Sequence, residues 1–197
     1  MSGARPGPGR RALLRAASLG GVVAAAPALA APAIAPELRE ALRRGGCVLL
    51  VRHAITDPGV GDPPGFRLAD CSTQRNLSAA GREQARRLGD ALRSIGAPLG
   101  EVRSSRWCRC LDTARIAFGR VEPWPPLDSF FEDGSDRDAR TAAVRDWALA
   151  ARGPSNAVAV THQVNATALA GGWLGMGETL VLAPRDGALA QLGRFSV

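Results

Sequence analysis

The feature that most constrains this chain is a short apolar segment that ends in an arginine and a histidine. Residues 47–51 follow Gly45-Gly46 and run directly into Arg52 and His53. A continuous apolar run of this length, bounded by turn residues, is typical of a strand buried on both faces of a sheet. Open α/β sheets bind their ligands outside the carboxyl ends of the strands. The sequence therefore predicts that Arg52 and His53 lie where such a fold does its chemistry.

The rest of the chain alternates between predicted helices and strands. This alternation predicts a single α/β domain, a three-layer α/β/α sandwich with a mostly parallel central sheet and a hairpin at its end. Residues 54–76 are rich in Gly, Pro and Asp and have no periodicity, so we expect a long loop over the strand end that carries His53. The helices are predicted over 36–44, 76–94 with Ser78 as N-cap, 108–118, 139–152 and 163–174, and the further strands over 101–105, 156–162, 180–184 and 188–195.

A second apolar strand ends in the other of the two histidines of the chain, His162. Because parallel strands bring their carboxyl ends together, we expect His53 and His162 to be neighbours. Arg109, in the first turn of a predicted helix, would join them beside Arg52. Guanidinium groups match the oxygens of a phosphate, and an imidazole can attack phosphorus, with nearby positive charge keeping it neutral. The pattern predicts a cationic phosphate pocket.

Four ordered motifs resemble those of the histidine phosphatase superfamily, whose fold is phosphoglycerate-mutase-like. The resemblance covers about residues 46–172. Its motifs are the Arg-His pair in Leu50-Val51-Arg52-His53-Ala54, a helix start with Asn76-Leu77-Ser78, Gly81 and Gln84-Ala85, a segment with Ser104-Ser105, Arg109 and Thr113-Ala114, and the strand end Val160-Thr161-His162.

The resemblance implies a phosphatase that uses neither a metal nor an organic cofactor. His53 would be the nucleophile that becomes phosphohistidine, and water would then hydrolyse this intermediate. Arg52, Arg109 and His162 would bind the phosphoryl group. The implied partner is a small phosphorylated substrate, a phosphomonoester or a phosphohistidine.

The proton donor is where this sequence departs from the family pattern. Many members carry a Glu beside a "G-x-W-E-G"-like stretch, and residues 127–133 contain no such stretch. Asp128, directly after a Pro-rich connector, is the first candidate for the general acid, and Glu132 is the second. The acidic residues could equally be a solvated loop. The alternative function is therefore a catalytically weak or inactive phosphate-binding module of the same fold.

The residue after the second histidine narrows the branch of the family. It is Gln163, whereas the acid-phosphatase and phytase branch has an Asp there, which argues against a phytase-like enzyme. Small size and an export signal argue against a glycolytic mutase. Among exported members, the lipopolysaccharide-core heptose phosphatase type is the most similar in outline.

The first 30 residues predict export. Arg10-Arg11 lies in a basic segment of twin-arginine type, residues 19–26 are apolar, and Ala28-Leu29-Ala30 offers a cleavage site. An uncleaved anchor or a disordered tail is the alternative, although the apolar run is too short for a stable membrane span. We expect a signal over 1–30, a domain over 31–197 and a periplasmic or secreted protein.

Charge and cysteine content bound the remaining possibilities. The net charge is +7, and all 25 basic residues are arginine. Without residues 1–30 the chain carries a net charge of +3, a modest positive charge that suits an anionic substrate and not nucleic acid.

The predicted export bears on the cysteines, because an oxidising compartment permits disulfides. Cys47 should be an inert core thiol, and Cys71 should pair with Cys108 or Cys110. With only two histidines, a zinc site or a metal-dependent hydrolase is disfavoured.

Overall fold

The structure is a computed structural model that describes residues 34–197, together with residues 1 and 3. The predicted export signal therefore lies outside the described residues, apart from those two positions. Residues 34–197 form five α-helices and six strands. In chain order they are α1 Pro36–Arg44, β1 Val48–Arg52, α2 Ala79–Ser94, β2 Leu99–Ser104, α3 Cys108–Phe118, β3 Glu122–Pro123, α4 Arg137–Ala150, β4 Asn156–Thr161, α5 Gln163–Ala170, β5 Thr179–Arg185 and β6 Ala188–Phe195.

The strands form one sheet in the order β3-β2-β4-β1-β5-β6. The first four strands of that order run parallel, whereas β5 is antiparallel to β1 and to β6. β5 and β6 make the predicted hairpin, which turns at Asp186-Gly187 with positive φ at both residues. This confirms the predicted α/β fold with a mostly parallel central sheet.

Two apolar clusters, one on each face of the sheet, make the three layers. Because successive residues of a strand point to opposite faces, Leu49 and Val51 of β1 belong to one cluster, and Val48 and Leu50 belong to the other. Helices α1, α2 and α3 pack in the first cluster, and α4 and α5 pack in the second. Residues 48–51 of β1 are thus buried on both faces, which is why this part of the strand is continuously apolar.

Helix α2 begins as predicted, with Ser78 as its N-cap. The Ser78 hydroxyl accepts a hydrogen bond from the backbone N–H of Gly81 at 3.1 Å. A Cβ at Gly81 would lie only 1.8 Å from the carbonyl oxygen of Ile55. Glycine therefore lets the first turn of α2 approach the chain that leaves His53.

Helix α5 is shorter than the sequence predicts. It ends at Ala170 and not at residue 174, because Gly171 and Gly172 adopt φ values of 71° and 73°. These left-handed conformations suit glycine and end the helix. The apolar residues that follow, which extended the predicted helix, belong instead to a connection that returns to the site.

One disulfide fastens the long loop 54–76 to the start of α3. It joins Cys71 to Cys108, with 5.7 Å between their Cα atoms. Closing a loop of this length stabilises a folded chain by about 3–4 kcal/mol. Cys47 and Cys110 are free and buried, and burial raises the pKa of both thiols, that of Cys110 to about 12. Both therefore remain protonated thiols of the core.

Membrane-spanning helices and metal-binding clusters are both absent from the described residues. No helix between residues 34 and 197 has the length and apolarity that crossing a membrane requires. Nor do the described residues contain a group of three or more His, Cys, Asp or Glu side chains arranged to hold a metal ion.

Candidate active site

The two histidines lie side by side because they follow neighbouring parallel strands. Arg52 of β1 is in register with Thr161 of β4, and the backbone N–H of His53 donates to the Thr161 carbonyl at 3.0 Å. The imidazole rings of His53 and His162 are 5.6 Å apart, centre to centre, in an edge-to-face arrangement. The sheet therefore brings together two side chains that are 109 residues apart in sequence.

His53 is a buried neutral imidazole. Its Nδ1 lies 2.9 Å from the carbonyl oxygen of Ala54. A carbonyl only accepts, so we assign the ring proton to Nδ1, which leaves a lone pair on Nε2. Burial lowers the pKa of His53 to about 3. The hydrogen bond with Ala54 opposes this shift, and the positive charges of Arg109 and Arg52 reinforce it. The ring is therefore uncharged at neutral pH, as a nucleophile must be.

Both ring nitrogens of His162 have partners. Nδ1 lies 3.4 Å from an Nη of Arg109, which can only donate, so the proton of His162 is on Nε2. Nε2 then donates to the Ser105 hydroxyl at 2.8 Å, and Ser105 donates to Asp128 Oδ1 at 3.3 Å. The pKa of His162 lies well below its ordinary value, chiefly because the ring is buried and also because Arg109 is positively charged. His162 is thus fixed in orientation, whereas among the described residues Nε2 of His53 has no hydrogen-bond partner.

Arg52 and Arg109 face the same cleft as the histidines. Arg52 donates to the Leu174 carbonyl at 2.7 Å, and Arg109 donates to both carboxylate oxygens of Asp62 at 2.8 and 3.0 Å. The Nε atoms of both arginines are buried, and within the described part of the chain they have no hydrogen-bond partner. Both guanidinium groups line the cleft, and guanidinium geometry matches the oxygens of a phosphate, so both side chains suit an oxyanion.

Two residues of the site, Asp62 and Arg75, were not found from the sequence. The backbone N–H of Arg75 donates to Asp62, and its Nε donates to the Gly61 carbonyl at 2.8 Å. Burial opposes the ionisation of Asp62, but hydrogen bonds from Arg109, Arg75 and Trp107 outweigh it and lower the pKa of this carboxyl. Both residues lie in the loop 54–76, whose sequence has no periodicity from which a position could be predicted. The one signal that could have identified Arg75 as a site residue is its place directly before the Asn76-Leu77-Ser78 motif.

The cleft over these residues has a volume of about 520 Å³. That is much more space than a phosphate group fills. Its floor carries the two histidines with Arg52, Arg75 and Arg109, and loop residues form its walls. The cleft can therefore hold an anionic group at its floor together with a larger attached group.

Comparison with known proteins agrees with this geometry. Residues 48–130 match the model of the Histidine phosphatase superfamily (branch 1). The matched segment includes Arg52, His53 and Arg109. Over this segment the chain is similar to the histidine phosphatase superfamily. None of the curated proteins matches its sequence.

Several solved structures share the fold of this chain. One is the protein histidine phosphatase SixA complexed with tungstate, 13% identical, with a TM-score of 0.58 over 76% of this chain and 96% of SixA. A second is phosphoserine phosphatase from Entamoeba histolytica in complex with 3-phosphoglyceric acid, 14% identical, with a TM-score of 0.58 over 77% and 97% of the two chains. A third, an open-reading-frame product of Mycobacterium tuberculosis, is 17% identical, with a TM-score of 0.57 over 78% and 99%.

The two carboxyl groups predicted as proton donors occupy different environments in this histidine phosphatase fold. Asp128 is buried, and its carboxylate accepts from the backbone N–H, Nε and Nη of Arg106 at 2.6–2.7 Å, and from Ser105. Glu132 is exposed and lines the cleft, and the described residues offer it no hydrogen bond or ion pair. Asp128 is therefore bound in an ion pair, and Glu132 is accessible to a ligand.

Proposed function

We propose that this protein hydrolyses small phosphomonoesters through a phosphohistidine intermediate on His53. The observation that carries the proposal is a neutral imidazole whose Nε2 lone pair is unengaged beside the guanidinium groups of Arg52 and Arg109. A nucleophile and charges that stabilise an oxyanion are the two requirements of phosphoryl transfer in the absence of a metal. The tungstate in SixA, an oxyanion bound within the same fold, supports it.

The proposed reaction has two steps. The Nε2 lone pair of His53 forms a bond to phosphorus, and the ester P–O bond breaks, its electron pair passing to the alcohol oxygen. A carboxyl group protonates that oxygen. A water molecule then attacks phosphorus, gives its proton to the same carboxylate, and releases phosphate from His53. Arg52, Arg109 and His162 stabilise the charge on the phosphoryl oxygens in both steps.

The direct test uses purified protein and p-nitrophenyl phosphate. We expect hydrolysis that resists chelators, and a phosphorylated protein that is labile to acid and stable to alkali when the reaction is quenched. Phosphate binding by calorimetry with neither turnover nor phosphoenzyme would instead support the phosphate-binding module. The ion pair that holds Asp128 favours this second candidate, because the carboxylate of the first predicted acid is engaged by Arg106 and Ser105.

We propose Glu132 as the proton donor in preference to Asp128. Glu132→Gln is expected to lower kcat by roughly 10²-fold for an alkyl phosphate and to change it little for p-nitrophenyl phosphate, whose leaving group needs no proton. Glu40→Gln, an exposed glutamate on α1, is the matched control and should change neither rate. Rates with ethyl and p-nitrophenyl phosphate give the comparison.

Asp128→Asn separates the two candidates. If Asp128 serves to hold Arg106 and Ser105, its replacement should destabilise the fold and should lower the hydrolysis rates of the alkyl phosphate and of p-nitrophenyl phosphate by the same factor. A loss confined to the alkyl phosphate in Asp128→Asn, with Glu132→Gln fully active, would make Asp128 the proton donor.

We also propose that the protein is exported to the periplasm or beyond the cell. The Cys71–Cys108 disulfide supports this, since structural disulfides form and persist in oxidising compartments. The order of basic segment, apolar segment and Ala28-Leu29-Ala30 in the sequence points the same way.

A further inference from the structure

The exposed apolar side chains of this protein are gathered at one place. Among the described residues, four large hydrophobic side chains are exposed, and apart from Met1 all of them line the cleft. They are Val60, Phe131 and Trp173, with exposed fractions of 90%, 63% and 66%. Single exposed apolar residues are normal on a protein surface, but a group of them around one cleft marks a binding site.

These three residues, which we call the apolar rim, come from three separate segments. Val60 lies in the loop 54–76, Phe131 in the acidic loop before α4, and Trp173 in the connection between α5 and β5. No single element requires apolar residues at all three places for its own packing, because each side chain is largely exposed. The feature they share is the cleft, so a bound molecule is the partner that would bury them.

Trp173 lies next to the cationic floor. The guanidinium of Arg52 is 5.1 Å from the centre of the Trp173 indole ring. The backbone around Trp173 is fixed, since Thr167 donates to the Gly172 carbonyl at 2.9 Å and Arg194 donates to the Trp173 carbonyl at 2.8 Å. A ligand whose phosphate reaches Arg52 therefore has the exposed indole of Trp173 close by.

The charged side chains near the rim are largely neutralised by partners. Arg106 pairs with Asp128, and Arg140 pairs with Asp136 at 3.3 Å. Two carboxylates of the same wall, Glu132 and Asp133, disfavour a second anionic group on the ligand there. The upper part of the cleft thus suits an uncharged group better than a sugar bearing several phosphates.

We propose that the ligands of this cleft are amphiphilic phosphomonoesters. The phosphate binds at the cationic floor, and an uncharged alkyl or aryl alcohol part lies against Trp173, Phe131 and Val60. This inference builds on the proposed function, since it assigns the substrate class of the same site. Trp173 and Phe131 are the residues that determine specificity.

The test measures binding and not turnover, so that it is independent of catalysis. Ethyl-, butyl-, hexyl- and octylphosphonate carry the same anionic group and do not react, and their affinities are measured by calorimetry below their micelle concentrations. We expect the affinity of the wild-type protein to rise about two- to fourfold per methylene until the chain extends past the rim. The heat-capacity change of binding should become more negative along the series.

Variants show whether the rim causes this dependence. Trp173→Ala combined with Phe131→Ala should leave ethylphosphonate binding within a few-fold and remove most of the gain from longer chains. Trp147→Ala is the matched control, since Trp147 packs against Trp124 and does not line the cleft. Its chain-length dependence should equal that of the wild type.

Two results would overturn the inference. One is equal affinity of the wild-type protein for ethyl- and octylphosphonate, which would assign the rim to another role such as contact with a partner protein. The other is a chain-length dependence that survives in the double variant. Absence of hydrolysis combined with the expected dependence would instead refute the proposed catalysis and leave the amphiphile site standing.

Discussion

Replacing His53 with asparagine is expected to reduce kcat for p-nitrophenyl phosphate by at least roughly 10⁴-fold, the size of loss that follows removal of a nucleophile. The phosphoenzyme seen after quenching should disappear with it. Asparagine retains a polar side chain of similar size but has no lone pair on a basic nitrogen. The measurement is steady-state hydrolysis together with radioactive phosphate retained on the quenched protein.

His162 provides the comparison, because the two imidazoles differ in what surrounds them. Nε2 of His53 is unengaged among the described residues, whereas the nitrogens of His162 contact Arg109 and Ser105. We therefore expect His162→Asn to slow turnover but still to form a phosphoenzyme on His53. A phosphoenzyme that persists in His53→Asn and vanishes in His162→Asn would exchange the roles of the two residues.

A folded chain is needed for either result to be informative. Calorimetric titration with phosphate serves as the control, since His53→Asn leaves Arg52 and Arg109 in place and should still bind the anion. Loss of both binding and activity would indicate a damaged site and not a missing nucleophile.

The free energy of unfolding is expected to fall steeply as the pH drops from 6.5 to 4.5. The pKa of His53 is about 3 in the folded protein, against about 6.5 in an unfolded chain. Between these values the unfolded chain binds the proton and the folded protein does not, so lowering the pH favours unfolding. The full contribution is present above pH 6.5. His53 alone should lower the free energy of unfolding by about 1.4 kcal/mol for each pH unit, or by about 3 kcal/mol in all at pH 4.5. The lowered pKa of His162 acts in the same direction.

Urea unfolding at pH 7.0, 5.5 and 4.5 measures this loss. His53→Asn should reduce the slope by about 1.4 kcal/mol per pH unit whatever its stability at pH 7. The carboxyl of Asp62 also has a lowered pKa, and its contribution is lost only as the pH falls below about 4. An unfolding free energy that stays constant from pH 6.5 to 4.5 would show that the two imidazoles are not buried as neutral groups.

Prediction from sequence succeeded where a local pattern reports directly on burial. The central residues of β1 and β4, 48–51 and 157–160, are continuously apolar because both of their faces are covered, and a histidine directly follows each strand. Ser78 was recognisable as an N-cap from its hydroxyl and its position before an amphipathic segment. The predicted α5 was too long. The backbone conformation of Gly171-Gly172 ends the helix, but the residues beyond this pair are still apolar, so the apolar pattern did not show the end.

The disulfide illustrates the intermediate case. The sequence favoured Cys108 or Cys110 as the partner of Cys71 without choosing between them. Positions two residues apart on a helix point in different directions, so the fold selects Cys108 and leaves Cys110 in the core, 3.6 Å from the Thr161 carbonyl oxygen. The choice depends on where the loop 54–76 crosses the helix, which residue spacing alone does not contain.

By itself the sequence predicted the layers of the fold, the strand ends that carry Arg52, His53 and His162, and a resemblance to the histidine phosphatase superfamily. Hydrophobic periodicity is a local property, and it suffices for the layers and the strand ends, whereas the family was suggested by the resemblance of the motifs. Only the tertiary structure decided that Asp62 and Arg75 join the site, that Asp128 is held by Arg106, and that three exposed apolar residues surround one cleft. These facts follow from the path of irregular loops, whose contacts are set by long-range packing and not by any repeating pattern in the chain.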